Sequence, residues 1–201
     1  MKTLEQTIQL IRQQRPIRQP LPVEIERTKQ AAVTVLLREN LSELEILIIK
    51  RAEHPRDPWS GHLALPGGRA DATDQNLIHT AAREMAEEVG IELDLEKSFI
   101  GLLPQLFPVN ALLPKIEITP LIALAPAEFS LQPNYEIATA FWMPINELQR
   151  TGKSATHRYQ HGEAIIKYPA YPSPHGEIWG ITMKILSEFL GIFENAEART
   201  L

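Results

Sequence analysis

The chain has 201 residues, of which 44% are hydrophobic and 22% charged, ordinary proportions for one well-buried core that exclude disordered and collagen-like classes. The net charge of −5 argues against a protein that coats nucleic acid, yet leaves room for a local positive patch that takes a nucleotide. With no cysteine, disulfides, a thiolate nucleophile and a cysteine zinc site are excluded. In chain order, Leu4, Ile8, Leu10 and Ile11 recur at helical spacing over residues 3–13. Prolines at 16, 20 and 22 then break the helix. Residues 1–29 read as a helical arm and Pro-rich linker that could pack on the domain or on a second subunit, and residues 30–195 as the domain. "AAVTVLLR" (31–38) and "EILIIKR" (45–51) read as a strand pair, and "HLALP" (62–66) as a short strand ended by Gly67 and Gly68. A helix follows from about Gln75 to Val89, with Thr73 or Asp74 as its cap and Gly90 as its stop. "SFIGLLPQ" (98–105), "KIEITPLIAL" (115–124) and "EIATAFWMP" (136–144) read as strands, with a helical turn in "INELQ". "EAIIKYPAY" (163–171) reads as a late strand, and residues 176–193 as a C-terminal helix. The order implies an α/β fold, a mixed β-sheet with helices packed on it.

No apolar run reaches the length of a membrane span. The N-terminal segment has no continuous apolar region of the secretory kind, and "EARTL" carries no lipidation or peroxisomal signal. The expectation is a cytoplasmic protein with a small-molecule partner, no nucleic acid and no membrane.

The central helix holds the chemistry. With Glu84 at zero on a helical wheel, Glu88 lies near 40° and Glu87 near −60°, at about 100° per residue. The three carboxylates share one face. Ile78, Ala81, Ala82, Met85, Ala86 and Val89 form the apolar side, so Glu84 and Glu88 border the buried stripe. Like charges at i, i+4 repel, and more strongly as the dielectric falls. A hard divalent cation, Mg²⁺ or Mn²⁺, would turn that repulsion into attraction. Arg83 stands four residues before Glu87, spaced to pair with it. The Gly67-Gly68 turn allows close backbone approach, so a carbonyl could face the same ion. A solvated acidic face on an ordinary surface helix is the competing reading, and the adjacent Pro-Gly-Gly turn counts against it.

The stretch resembles the Nudix box, G-x5-E-x7-R-E-U-x-E-E-x-G-U with U aliphatic. Arg83, Glu84, Met85, Glu87, Glu88, Gly90 and Ile91 match its second half. In the first half Asp74 stands where the pattern has Glu, and eight residues rather than seven precede Arg83. The resemblance implies a Nudix-type α/β/α sandwich and Mg²⁺-dependent hydrolysis of a nucleoside diphosphate linked to another group. It implies Glu84 and Glu88 as main metal ligands, with Glu87 and the Gly68 carbonyl as further ones. The residue that takes the proton varies in the family; Glu84 and Glu136 are candidates here.

Residues 47–68, "LIIKRAEHPRDPWSGHLALPGG", resemble the additional motif of the coenzyme A pyrophosphatase branch through Arg51, Ala52, Arg56, Gly61, Pro66, Gly67 and Gly68. One extra residue lies between Arg56 and Gly61, and Leu65 replaces the usual Phe. The resemblance spans roughly residues 30–190. Lys50, Arg51 and Arg56 form a basic cluster beside the candidate metal site, and arginine matches phosphate oxygens bidentately. The implied reaction cleaves coenzyme A or acyl-CoA to 3′,5′-ADP and (acyl-)4′-phosphopantetheine. The same chemistry on another derivative such as ADP-ribose is the alternative, and a non-catalytic nucleotide-binding module is disfavoured by the three retained glutamates. Trp59, His62 and His79 read as local packing or polar surface, and Trp142 and Trp179 as core. The N-terminal arm leaves a homodimer open.

Overall fold

The computed structural model describes residues 3–18, 21–24, 29–55, 57, 59–108, 116–162 and 164–198. Its centre is built by two apolar runs joined through Leu41 and Ser42, both in the left-handed region at φ 48° and 66°. That is the backbone a two-residue hairpin turn needs. The turn sets β1 (Lys29–Asn40) antiparallel to β2 (Glu43–Arg51), pairing Leu37 with Ile46 and Asn40 with Glu43. Side chains alternate across a strand, and here both sets are buried. Val35 and Leu37 of β1, with Ile46 and Ile48 of β2, face one core; Ala32 and Leu36, with Leu47 and Ile49, face the other. A sheet covered on both faces explains why these strands read as continuous apolar runs.

The remaining strands extend that pair. β6 (Ile116–Leu124) runs parallel to β1, from Lys29 opposite Ile116 to Leu37 opposite Leu124. β5 (Phe99–Leu102) lies antiparallel on β6, and β7 (Ile137–Pro144) antiparallel on β2. Two short strands, β3 (Leu63–Ala64) and β4 (Gly67–Arg69), pair with β2 and with the start of β1. Gly67 and Gly68 thus continue into a strand rather than ending one. Helix α2 (Leu77–Val89) covers one face through Leu77, Ala81, Met85 and Val89. The opposite face is covered by α1 (Leu4–Gln14), α3 (Ile145–Thr151) and α4 (Gly180–Ala198), with Ile11, Leu148, Leu186 and Phe189 fully buried. The architecture is the expected α/β/α sandwich on a mixed sheet.

A capping box between Thr3 and Gln6 opens α1. Its Ile11 lies so close to Gly101 that any Cβ there would collide with it, and Leu102 N–H bonds to Arg15 O at 2.9 Å. The arm is therefore seated on the sheet edge of its own chain.

Three elements differ from the sequence expectation. The cap of α2 is Asn76, whose Oδ1 accepts from the Ile78 and His79 amides at 2.9 and 3.1 Å, because Asp74 is engaged elsewhere. Residues 176–178 form β10 (Gly176–Ile178), paired with β9 (Ala164–Ser173), so the last helix starts later than residue 176. The unexpected β8 (Ala155–His161) pairs along β9 as a hairpin. This second sheet carries a ring cluster. Trp179 stacks on His157 at 4.0 Å between centroids, and His62, Tyr159 and Tyr168 stand around it. Trp179 and Trp142 are half-buried rather than core, the latter beneath the Arg38 guanidinium at 4.1 Å. Among the described residues no helix is long and apolar enough to cross a membrane.

Candidate active site

The β4 backbone and α2 meet because glycine permits it. Gly67 has φ 145°, and a Cβ there would collide with Ala32 O and lie 2.6 Å from Val33 Cα. Gly68 needs its missing side chain for another reason: a Cβ would stand 2.5 Å from the Glu84 carboxylate. Two successive glycines therefore let β4 lie on β1 while α2 lays its glutamates against β4.

Arg83 is the hub of the helix start. Its Nε and Nη2 donate to the two oxygens of Asp74, both at 3.1 Å; Nη2 also donates to Arg69 O at 3.0 Å. Its Nη1 reaches Glu84 Oε1 at 2.9 Å and Glu87 Oε2 at 3.0 Å. The Arg83–Glu87 pair is the one the i, i+4 spacing implies. Asp74 also accepts from the Thr80 hydroxyl and the Asp71 amide, each at 2.9 Å. Burial alone would raise the Asp74 pKa, but the hydrogen bonds from Arg83, Asp71 and Thr80 outweigh it and hold the group below its ordinary value. The same contacts drive the Arg83 pKa upward. Asp74, the departure from the box pattern, thus anchors Arg83 with a fork-to-fork pair.

At the other end of the helix the compensation is thinner. Glu88 is buried inside the apolar stripe, beyond the border position of the wheel. Its Oε2 accepts the Gly67 amide at 2.8 Å, and its Oε1 stands 3.7 Å from Arg51 Nη1. Burial, with a contribution from Glu84 and Glu136, pushes its pKa up to about 7 against the pull of Gly67 N–H and Arg51. Burial also raises Glu84, opposed by Arg83 and assisted by Glu87 and Glu136. Glu87 is the outer member, its side chain 56% exposed.

Glu136 arrives from across the site. The Asn134 and Gln132 amides bond to Glu88 O and Val89 O at 3.0 and 2.8 Å, tying the 132–134 loop to the helix end. The Glu136 amide donates to Asn134 Oδ1 at 2.8 Å, and Glu136 O accepts from Ala52 N at 2.7 Å. Its charge is felt by both Glu84 and Glu88. Arg83, Glu84, Glu87, Glu88, Gly67, Gly68, Arg51 and Glu136 are therefore gathered in one place. Arg56 lies outside the described residues. Sequence reasoning missed Asp57, which holds Arg51, and Asn134, which places Glu136; neither has a periodic or motif signal.

Among the described residues no three acidic or imidazole side chains are gathered into a ready cation cage. Glu84 and Glu87 are turned onto Arg83, and Glu88 onto Gly67. What fits Mg²⁺ or Mn²⁺ is the donor chemistry: neighbouring carboxylates, Glu84 and Glu88, whose pKa values are raised by burial and by the charge of Glu136, next to a glycine backbone.

The family model described as NUDIX domain matches residues 28–164. The chain is 35% identical over 147 residues to the uncharacterized Nudix hydrolase NudL of Yersinia pestis (strain Pestoides F), covering 72% of this chain and 70% of that one. The same figures relate it to NudL of Yersinia pseudotuberculosis serotype O:1b (strain IP 31758). Among solved structures, a MutT/nudix family protein from Enterococcus faecalis superposes with a TM-score of 0.61 at 21% identity, over 96% of this chain and 70% of that chain. The NUDIX domain of Shewanella oneidensis NrtR, complexed with ADP ribose, has a TM-score of 0.50 at 20% identity over 63% of this chain and 79% of that one. Both are likenesses of fold.

Proposed function

We propose a reaction for this chain, which belongs to the NUDIX domain family: Mg²⁺-dependent hydrolysis of the pyrophosphate bond of coenzyme A or acyl-CoA, giving 3′,5′-ADP and (acyl-)4′-phosphopantetheine. More coarsely, it is a pyrophosphohydrolase of small nucleotide derivatives. The observation that carries the reading is the pair of desolvated glutamates, Glu84 and Glu88, laid against Gly67 and Gly68 with Arg51 and Glu136 at the rim.

Glu84 and Glu88 would hold the metal, with Glu87 and the Gly68 carbonyl as further donors. When bound, Mg²⁺ or Mn²⁺ neutralises the phosphate oxygens and acidifies the attacking water. Arg83 holds the Glu84 and Glu87 rotamers. Glu84 or Glu136 accepts the proton from that water. Arg51 contacts a phosphate beside the metal, and Arg56 takes the separate 3′-phosphate.

The second reading is ADP-ribose as substrate. It is favoured by the extra residue between Arg56 and Gly61, which shifts Arg56 from its motif position, and by the ADP ribose bound to the similar NrtR domain. The deciding experiment gives the purified protein coenzyme A, dephospho-coenzyme A and ADP-ribose with Mg²⁺ and separates the products by chromatography. Preferred release of 3′,5′-ADP from coenzyme A is the expected result. Preference for ADP-ribose or dephospho-coenzyme A would retain the chemistry and remove Arg56 as a 3′-phosphate reader.

A further inference from the structure

Arg51 leaves β2 at a corner where three segments meet. Its N–H bonds to His62 O at 3.0 Å, and the next amide, Ala52 N–H, bonds to Glu136 O at 2.7 Å. The guanidinium is held from behind. Nε donates to Asp57 Oδ2 at 2.8 Å, while Nη1 stands 3.7 Å from Glu88 Oε1. Asp57 Oδ1 accepts Trp59 N–H at 3.0 Å, so both carboxylate oxygens are engaged. The Asp57 side chain is 16% exposed. Burial would raise its pKa, but Trp59 N–H and Arg51 hold it below the ordinary value, so it is charged at neutral pH.

A guanidinium is a planar fork on a flexible stem. With Nε occupied, the edge left for a bidentate anion is the one formed by the two Nη groups. Released from Asp57, the same side chain could close the 3.7 Å gap to Glu88 and pair with it directly, removing both the cation and the carboxylate from use. We propose that Asp57 is a positioning residue, holding Arg51 so that its Nη edge faces a substrate phosphate beside Glu88. This rests on the reading of Arg51 as a phosphate contact.

The test is a double-mutant cycle with Asp57→Ala, Asp57→Asn, Arg51→Ala and Asp57→Ala/Arg51→Ala, assayed for kcat and KM with Mg²⁺ on the nucleotide the wild type prefers. ADP binding with Mg²⁺ is measured by calorimetry in parallel, and thermal midpoints are recorded. Asp57→Ala raises KM on the order of tenfold, the scale of a hydrogen bond to a charged group, with a smaller change in kcat. The Asn variant recovers part of that loss, since one acceptor oxygen remains. In the Arg51→Ala background Asp57→Ala adds nothing to KM or to the ADP dissociation constant. An equal added effect in that background overturns the proposal. So does a uniform loss of kcat and thermal midpoint with KM unchanged. Failure of the wild type to cleave any of the nucleotides removes the proposed reaction, whereas ADP binding that ignores Asp57→Ala removes the positioning role alone.

Discussion

Asp74 and Glu88 lie at opposite ends of one helix, Asp74 half-buried and Glu88 buried, though both side chains are little exposed, 5% and 4%. Their acidities move in opposite directions. Asp74 meets a bidentate guanidinium, a hydroxyl and an amide. Glu88 meets one amide at 2.8 Å and a guanidinium at 3.7 Å, with two other glutamates nearby. Depth of burial and the donors around a carboxylate set its fate together. The fold completes the shell of Asp74 and leaves that of Glu88 short, and a buried carboxylate with so few donors is a candidate for a functional role.

That contrast can be broken most forcefully at Glu88. Replacing it with Gln is expected to lower kcat on the order of 10²–10³-fold, the scale of losing one preorganised electrostatic group, while the metal-free thermal midpoint does not fall. A midpoint that falls with activity would make Glu88 a structural residue like Asp74. Asp74→Ala should do the reverse first. It removes the main partner of Arg83, and losing hydrogen bonds to a charged group costs about 1–3 kcal/mol, read by urea unfolding; loss of activity follows because Arg83 no longer fixes Glu84 and Glu87.

The two glycines divide the same way. Gly67→Ala is forced into a backbone region that side chains avoid and collides with β1, so it should destabilise by about 2 kcal/mol or more. For Gly68→Ala the nearest atoms are at the movable end of Glu84. It should keep its unfolding free energy within about 1 kcal/mol and lose activity. Equal effects in urea would show that the two close approaches are equivalent.

The smallest and sharpest contrast is in pH. Asp74 is depressed, so its stabilisation is full above the unfolded value near 4 and drains as pH falls through the lower folded value. Glu88 is raised, so in metal-free protein stability is full below the unfolded value and drains as pH climbs through about 7. Relative to wild type, Asp74→Asn should be weaker at pH 7, by a margin that shrinks toward pH 3. Glu88→Gln should be stronger at pH 8, by roughly 1–3 kcal/mol, a margin that vanishes toward pH 4. Parallel curves for both variants would erase the distinction.

Legibility followed burial. β1, β2, β6 and β7 read as strands because their apolar runs are what a two-sided sheet requires. The i, i+4 rule carried the Arg83–Glu87 pair, and helical periodicity placed the glutamates on one face. β8 was illegible because its half-buried residues Ala155, His157 and Tyr159 alternate with exposed Thr156, Arg158 and Gln160, and a small residue and two polar rings do not read as an apolar face. The helix start was displaced by competition: Asp74 is a good capping residue, but Arg83 and Thr80 already occupy its oxygens. The hold of Asp57 on Arg51 depends on how a loop folds back, which no local pattern records.

The parallel ladder that pairs Lys29 with Ile116 and Leu37 with Leu124 has a consequence in time. Everything between these strands, including β4 and α2, lies inside one long loop that the ladder closes. Closing a loop of that size carries an entropic cost before its contacts form, and such non-local pairing slows folding. During refolding, helix signal should therefore return ahead of catalytic activity. Recovery of turnover would then report closure of that long loop rather than formation of the helix that carries the glutamates.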